Sequence, residues 1–368
     1  MENRGSSRER VTISDVAAAL GVAVSTVSNA YNRPDQLSAT LRERILATAA
    51  ELGYPGPDPV ARSLRRQRAG AVGVLFAERL SYAFSDPAAV LVLDGIASAL
   101  DPAGLGLLLV PGRADDLTTV QQAMVDGFIV YSMLENDPVL TAALRRRLPT
   151  VLIDQPPRAG VPLITVDDVD GARQAAAHLL GLGHRQFALI TVRLSDERSV
   201  AKVAEPLSAH ERAAVSFFVT RRFQGYREAL EAEGVAWAEV AIVECPENSE
   251  VEGAAAMRSL LAEPARPTAV LCITDRLALG ALEAAQQAGL AVPGDLSIVG
   301  FDDIPAAAEA VPPLTTVRQA HREKGLLAGQ ALIGCLGGEE VAERTDLPVQ
   351  LVVRGSTGRA PHRRSARR

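Results

Sequence analysis

The sequence predicts an α/β protein with a small all-α head and a large body built on parallel sheets. Two observations carry that expectation. Residues 11–54 read as three short helices without strand patterning. From Ala71 onward, short β-rich runs alternate with Ala- and Leu-rich helical stretches, the rhythm of parallel strands with helices on both faces. The 368 residues exceed what one compact core organises, so two or three domains are expected. A composition of 48% hydrophobic and 22% charged residues fits a soluble globular chain.

In the head, Thr12 and Asp15 have the spacing of a capping box, and Val11 and Val16 that of a hydrophobic staple. A first helix is therefore expected over about Ile13 to Leu20, ended by Gly21. A second covers about Val24 to Tyr31, with Val27 and Ala30 inward and hydroxyls outward. The third starts at the cap Ser38, buries Leu41, Ile45, Ala49 and Leu52 at helical spacing, and stops at Gly53. Next, "YPGPDPVARSLRRQRAG" places three prolines and a glycine within residues 55–59 and reads as an Arg-rich linker.

Nine runs in the body read as strands: "AVGVLFA", "LGLLLVP", "VDGFIVY", "TVLIDQ", "LITVDD", "QFALITV", "AIVEC", "TAVLCIT" and "LSIVGFD". That number suggests two sheets, and a polar stretch at 194–221 interrupts the rhythm. The net charge of −6 divides unevenly. Residues 1–68 hold ten Arg against seven Asp or Glu, +3, and the last ten residues add five Arg, +5, leaving −14 for the stretch between. A basic head on an acidic body is the asymmetry expected when one end meets phosphate. No apolar run approaches the roughly 20 residues of a membrane helix. "MENRGSSRER" lacks the apolar core of a signal peptide, so a cytoplasmic protein that does not engage membranes is expected. Cys245, Cys272 and Cys335 are odd in number and widely spaced, and read as reduced thiols.

A helix, a glycine-containing turn and a second helix form a helix-turn-helix, whose second helix enters the DNA major groove. Val24, Ser25, Thr26, Ser28 and Asn29 can supply contacts to base edges or phosphates from that helix. By periodicity alone, a generic three-helix bundle fits equally well.

The segments "TISDVAAALGVAVSTVSNAYN", "LSATLRERILATAAELGY" and "PVARSL" closely resemble the headpiece of the lactose repressor/galactose repressor (LacI/GalR) family of bacterial transcription regulators. The resemblance continues through "VDGFIVY", "TVLIDQP", "ITVDDVDGARQAAAHLLGLGHR", "RFQGYREALEAEGV", "TDRLALGALEAAQQAGLAVPGDLSIVGFDDIP" and "PPLTTVRQ". It implies a headpiece over 11–54, a linker and hinge helix over 55–70, and a two-lobed periplasmic-binding-protein-like effector and dimerisation domain over 71–358; the Arg-rich residues 359–368 read as a basic tail, expected to be disordered. It also implies that Val24 and Ser25 read bases with Thr26, Ser28 and Asn29 beside them, and that Thr12, Ser38 and Thr40 contact phosphate. Ala61 and Leu64 would enter the minor groove, Leu64 as a wedge that parts a base step. The chain departs from the family pattern at Ala23, where a capping serine is usual, at Asn29, where arginine is frequent, and in a hinge one residue longer.

The family's ligand cleft lies at the carboxyl ends of the strands. Asp154, Arg222 and Asp275 match its ligand residues; Asp275 also fits a helix N-cap. Tyr82 and Phe84 follow the first strand and suit either stacking on a sugar or base ring or a packed loop, while Asp86 is a weaker candidate there that reads more as a turn residue before Pro87. Asp168 and Asp170 read as helix caps, with Gly181 and Gly183 ending that helix. His178 and His184 have no convergent Cys or carboxylate, so neither a metal nor a cofactor is expected. No "GxSxG", phosphate-loop or zinc signature points to an enzyme. The expected partners are double-stranded operator DNA, a small effector such as a sugar, and a second copy of the chain. One short recognition helix reads few base pairs, and "GRAPHRRSARR" has no leucine seam for a tetramer, so a homodimer is expected.

Overall fold

A computed structural model describes residues 11–57, 68–76, 80–112, 116–192, 194, 201–202 and 216–361. The chain divides into two compact units that meet between Ala69 and Gly70.

The first unit holds α1 (Ile13–Leu20), α2 (Val24–Asn32), a 3-10 turn (Pro34–Gln36) and α3 (Ala39–Leu52). Its core is small: Val16, Ala17, Val27, Ala30, Ile45 and Ala49. Tyr31 and Tyr54 meet edge to face, centroids 6.1 Å apart. Gly21 and Gly53 end α1 and α3 with left-handed φ of 65° and 74°, conformations glycine adopts without steric strain. One expectation fails here, for Leu52 is 40% exposed. In the last turn of α3 it is Ala49, 1% exposed, that faces the core, while Leu52 lies on the outer side of the helix.

In the second unit the strands are β1 (Ala71–Phe76), β2 (Gly106–Pro111), β3 (Gly127–Tyr131), β4 (Thr150–Ile153), β5 (Leu163–Val166), β6 (Phe187–Val192), β7 (Ala201–Lys202), β8 (Ala241–Cys245), β9 (Ala269–Cys272), β10 (Ser297–Asp302), β11 (Thr315–Arg318), β12 (Arg344–Leu347) and β13 (Gln350–Val352). The helices are α4 (Tyr82–Ser85), α5 (Pro87–Leu100), α6 (Thr118–Gln122), α7 (Pro138–Arg145), α8 (Asp168–Gly181), α9 (Phe217–Ala232), α10 (Glu250–Leu261), α11 (Asp275–Gln287), α12 (Pro305–Glu309) and α13 (His321–Gly337). The first lobe carries a wholly parallel sheet, β12-β5-β4-β3-β1-β2. The second carries β13-β11-β10-β9-β6-β8-β7, parallel except for its two edges, β13 and β7.

All nine runs read from the sequence contain a strand. The polar stretch expected to reach residue 221 is shorter, because α9 already begins at Phe217. The chain crosses between lobes after β5, between β11 and α13, and between β12 and β13. In the first lobe α13 lies tight against α5 because glycines face carbonyls. A Cβ on Gly325 would sit 2.0 Å from the Val92 oxygen, so no side chain fits there, and this contact fixes the start of α13. Among the described residues no single helix is long and apolar enough to cross a membrane.

Candidate functional site

On the head, the first turn of α2 is open. Val24 is 45% exposed and Ser25 is exposed, while Thr26, Ser28 and Asn29 are half-buried. Ala23 occupies the N-cap and gives no side-chain bond to the helix. Asn29 Nδ2 donates to Gln36 Oε1 at 3.4 Å, and Asn32 Nδ2 donates to the Ser28 carbonyl at 3.0 Å. Thr12, Ser38 and Thr40 are exposed. The Thr12 hydroxyl and backbone N–H both donate to Asp15 Oδ2 at 2.7 Å, which holds the Asp15 carboxyl below its ordinary range. Ser38 Oγ accepts from the Leu41 N–H at 3.3 Å, leaving its own proton free to donate. Ala61 and Leu64 lie outside the described residues.

In the body, polar side chains gather at the carboxyl ends of both sheets, where open α/β sheets place ligands. Arg222, on α9, is 3% exposed. Its Nε donates to Asp168 Oδ1 at 2.8 Å and its Nη1 to the Ile273 carbonyl at 2.5 Å, with Asp302 Oδ1 3.7 Å from Nη1. The guanidinium lies 3.5 Å from the Phe301 ring centre. Asp168 is therefore a core partner of Arg222 and not a helix cap. The cap of α8 is Asp167, which accepts from the Asp170 N–H. Burial pushes the Asp168 carboxyl up to about 6, against the pull of Arg222. Burial alone would lower Arg222, but Asp168 and Asp302 together raise it.

Asp275 is fully buried as the first residue of α11, and the cap there is Thr274. Asp275 Oδ2 accepts from the Ile304 N–H at 2.9 Å and Oδ1 from the Thr316 hydroxyl. Burial, then Asp302, lifts its carboxyl to about 8. Asp154 directly follows the first-lobe strand β4, with φ of 50°. Its Oδ2 accepts from Lys324 Nζ at 2.5 Å and its Oδ1 from the Thr165 hydroxyl at 3.2 Å. Lys324, on α13, also donates to Gln319 Oε1 at 2.9 Å, and Gln319 Nε2 donates to Asp302 Oδ1 at 2.6 Å. This chain of bonds runs from Asp154 in the first lobe to Asp302 in the second. At the mouth, Asn248 Nδ2 donates to the Tyr82 hydroxyl at 3.0 Å, a second bond between lobes. Phe84 is 67% exposed, so of the two aromatic candidates Tyr82 is the one that bonds across the gap. Asp86 is buried and caps α5 by accepting from the Ala88 N–H at 3.2 Å, which corrects its reading as a turn residue. Burial raises its pKa, with Asp302 adding to the effect.

The structure thus brings Asp154, Arg222, Asp275, Tyr82 and the weaker candidate Asp86 to one region and adds Asp168, Asp302, Gln319 and Lys324. Asp275 packs against β10 where that strand has a glycine, Gly300. A Cβ on Gly300 would lie 2.2 Å from Asp275 Oδ1. Among the described residues no group of three His, Cys, Asp or Glu is arranged to hold a metal. His178 and His184 are bonded to Thr357, Thr268 and Ser297 hydroxyls at 2.9 to 3.0 Å.

A helix-turn-helix head with an open second helix, followed by two lobes sharing a buried polar cluster, defines a DNA-binding regulator with a binding-protein-like body. Residues 12–56 match the lacI family of bacterial regulatory proteins, and residues 176–357 match a periplasmic binding protein-like domain. The HTH-type transcriptional regulator Rv3575c of Mycobacterium tuberculosis is 43% identical over 366 residues, 96% of this chain and 98% of the relative. The chain belongs to the LacI family of transcriptional regulators, whose members are DNA-binding regulators and not enzymes. Its fold is similar to the lac repressor dimer bound to operator and the anti-inducer ONPF, with a TM-score of 0.77 at 28% identity over 95% of this chain and all of that one. It is also similar to the complex of the transcriptional regulator CelR with cellobiose, at a TM-score of 0.67 and 29% identity over 94% of this chain and all of that one.

Proposed function

We propose that this regulator is a cytoplasmic repressor. It binds a near-palindromic operator as a homodimer and changes affinity when a sugar or similar small molecule enters between the lobes. Residues 11–54 read DNA, 55–70 form the hinge with Ala61 and Leu64 in the minor groove, 71–358 sense the effector and dimerise, and 359–368 add non-specific phosphate affinity that fades with salt. Val24 and Ser25 read bases with Thr26, Ser28 and Asn29 beside them, and Thr12, Ser38 and Thr40 hold phosphate. Asp154, Arg222, Asp275 and Tyr82 belong to the effector cleft, with Phe84 at its rim.

The observation that carries this reading is the bonded path from Asp154 through Lys324 and Gln319 to Asp302, because any change in lobe separation must break or remake it. The operator-bound and cellobiose-bound relatives support the two halves of the reading. A gel-shift titration on the DNA upstream of the protein's own gene tests it. The expected result is a specific complex that a sugar weakens or strengthens, and one that Leu64→Ala weakens about tenfold or more, since a lost wedge gives up the bend it supports. Absence of specific binding refutes the operator reading, and wild-type affinity in Leu64→Ala refutes the wedge.

A further inference from the structure

The first lobe has a cavity that shares no residue with the interlobe cleft. On one face of its sheet α5 and α13 pack over Val72, Val74, Ile129 and Val151, and on the other α6 and α7 pack over Leu75, Phe128, Val130 and Leu152. An open cavity of about 380 Å³ lies between α6 and α7 on that second face. Sites for small organic ligands begin at roughly 300 Å³.

Two arginines line it, and both lack a counter-ion. Elsewhere in the body Arg173, Arg222, Arg276 and Arg354 each meet a carboxylate at 3.2 Å or less. Arg145 and Arg146 meet none among the described residues. Arg145 is exposed. Arg146 is half-buried, with Nη1 donating to the Val120 and Ala123 carbonyls at 2.9 and 2.7 Å and the guanidinium 5.3 Å from the Phe128 ring centre. Its Nε and Nη2 have no acceptor among the described residues. Burial lowers the Arg146 pKa, and no neighbouring carboxylate offsets that cost. An anion that reached these two side chains would supply the missing charge.

The remaining walls restrict which anion fits. Leu117, Pro138 and Ala142 form an apolar side opposite the guanidinium groups' charge. Phosphate would leave that side uncovered, and a neutral ligand would leave the arginines unpaired. A carboxylate carried on an apolar body satisfies both. Arg146 also lies on a bonded route to the linker. The Ala123 carbonyl that it holds is three residues before Asp126, whose Oδ2 accepts from the Gly70 N–H at 2.8 Å and whose N–H donates to the Ala71 carbonyl at 2.8 Å. Gly70 adopts a left-handed φ of 73° immediately before β1.

We propose that the cavity between α6 and α7 is a second ligand site, which takes a small carboxylate with an apolar body and holds its carboxyl group on Arg145 and Arg146. Binding orders Arg146 and so steadies the end of α6 and the Gly70 contact. This site goes beyond the interlobe effector reading and does not depend on it.

The test is calorimetry on the full chain with phenylacetate, 4-phenylbutyrate and octanoate, set against phenylacetamide, octanamide and inorganic phosphate. At least one acid should bind wild type about tenfold or more tightly than its amide and than phosphate. Arg145→Ala breaks no bond among the described residues, so it should keep the wild-type melting temperature while weakening that acid about fivefold. Arg146→Gln keeps a donor for the α6 carbonyls but loses the charge, and should weaken it about tenfold or more. On saturation, hydrogen exchange in peptides spanning 68–76 and 120–128 should slow in wild type and not in Arg146→Gln. No binding of any acid, equal binding of the amide, or an affinity that neither variant lowers overturns the site, the last result placing the acid elsewhere, the interlobe cleft included. Unchanged exchange in wild type overturns the link to Gly70.

Discussion

Asp275 shows how one carboxyl couples the cleft to stability. Its folded pKa of about 8 stands above the ordinary 3.8, so the folded protein keeps a proton that the unfolded chain releases. The stabilisation this proton brings is full below about pH 4 and is lost as pH rises through about 8. Asp275→Asn removes the titration, and the Thr316 hydroxyl can reverse to accept from the new amide. The variant's melting temperature should therefore fall less than that of wild type between about pH 5 and 8 in scanning calorimetry; parallel curves would refute the shifted pKa. Sequence made Asp275 and Arg222 legible through motifs that stand in place along the chain. It hid Asp302 and Lys324, because their partners are remote: Lys324 meets Asp154 across 170 positions, and "HREKG" has the charge of a solvated helix start. Asp168 was misjudged for a related reason. A carboxylate in the first turn of a helix looks like a cap whichever way its side chain turns.

At the scale of elements, α2 is the weak link in the head. Its Ala23 cap leaves first-turn N–H groups without a side-chain acceptor, and only Val27 and Ala30 of the helix are fully buried in the head's core. Ala23→Ser should stabilise α2 by about 1 kcal/mol and slow hydrogen exchange of its amides about fivefold; unchanged exchange would mean that packing alone sets its stability. Capping and glycine signals made α1 and α3 readable to the residue. The nine strands were readable as runs, though not to the residue, because buried parallel strands are continuous apolar stretches and even the edge strand β2 is apolar throughout. Four others escaped: β7 is two residues long, β11 is threonine-rich, β12 is a short, mostly polar edge strand and β13 an edge strand of only three residues, with pairing set by tertiary structure.

For the molecule as a whole, the C-terminal segment is shared between lobes. The last strands, β12 and β13, each complete the edge of a different sheet. Ending the chain after Gly338 removes both and should abolish cooperative melting and soluble yield. Ending it after Pro361 keeps the Gly358 and Ala360 bonds to Ser297 and Leu182 and should leave melting unchanged. A soluble, cooperatively melting product from the shorter chain would refute the interdependence.

That shared segment also sets an order of events during synthesis. The head is complete once α3 has left the ribosome, whereas the first lobe must wait for α13 and β12, which are made after nearly all of the second lobe. A growing or prematurely ended chain thus carries its DNA-reading unit before any ligand-sensing one. On the proposed reading, response to a small molecule would be acquired only with the last strands, and a broken message would yield a head with no switch attached.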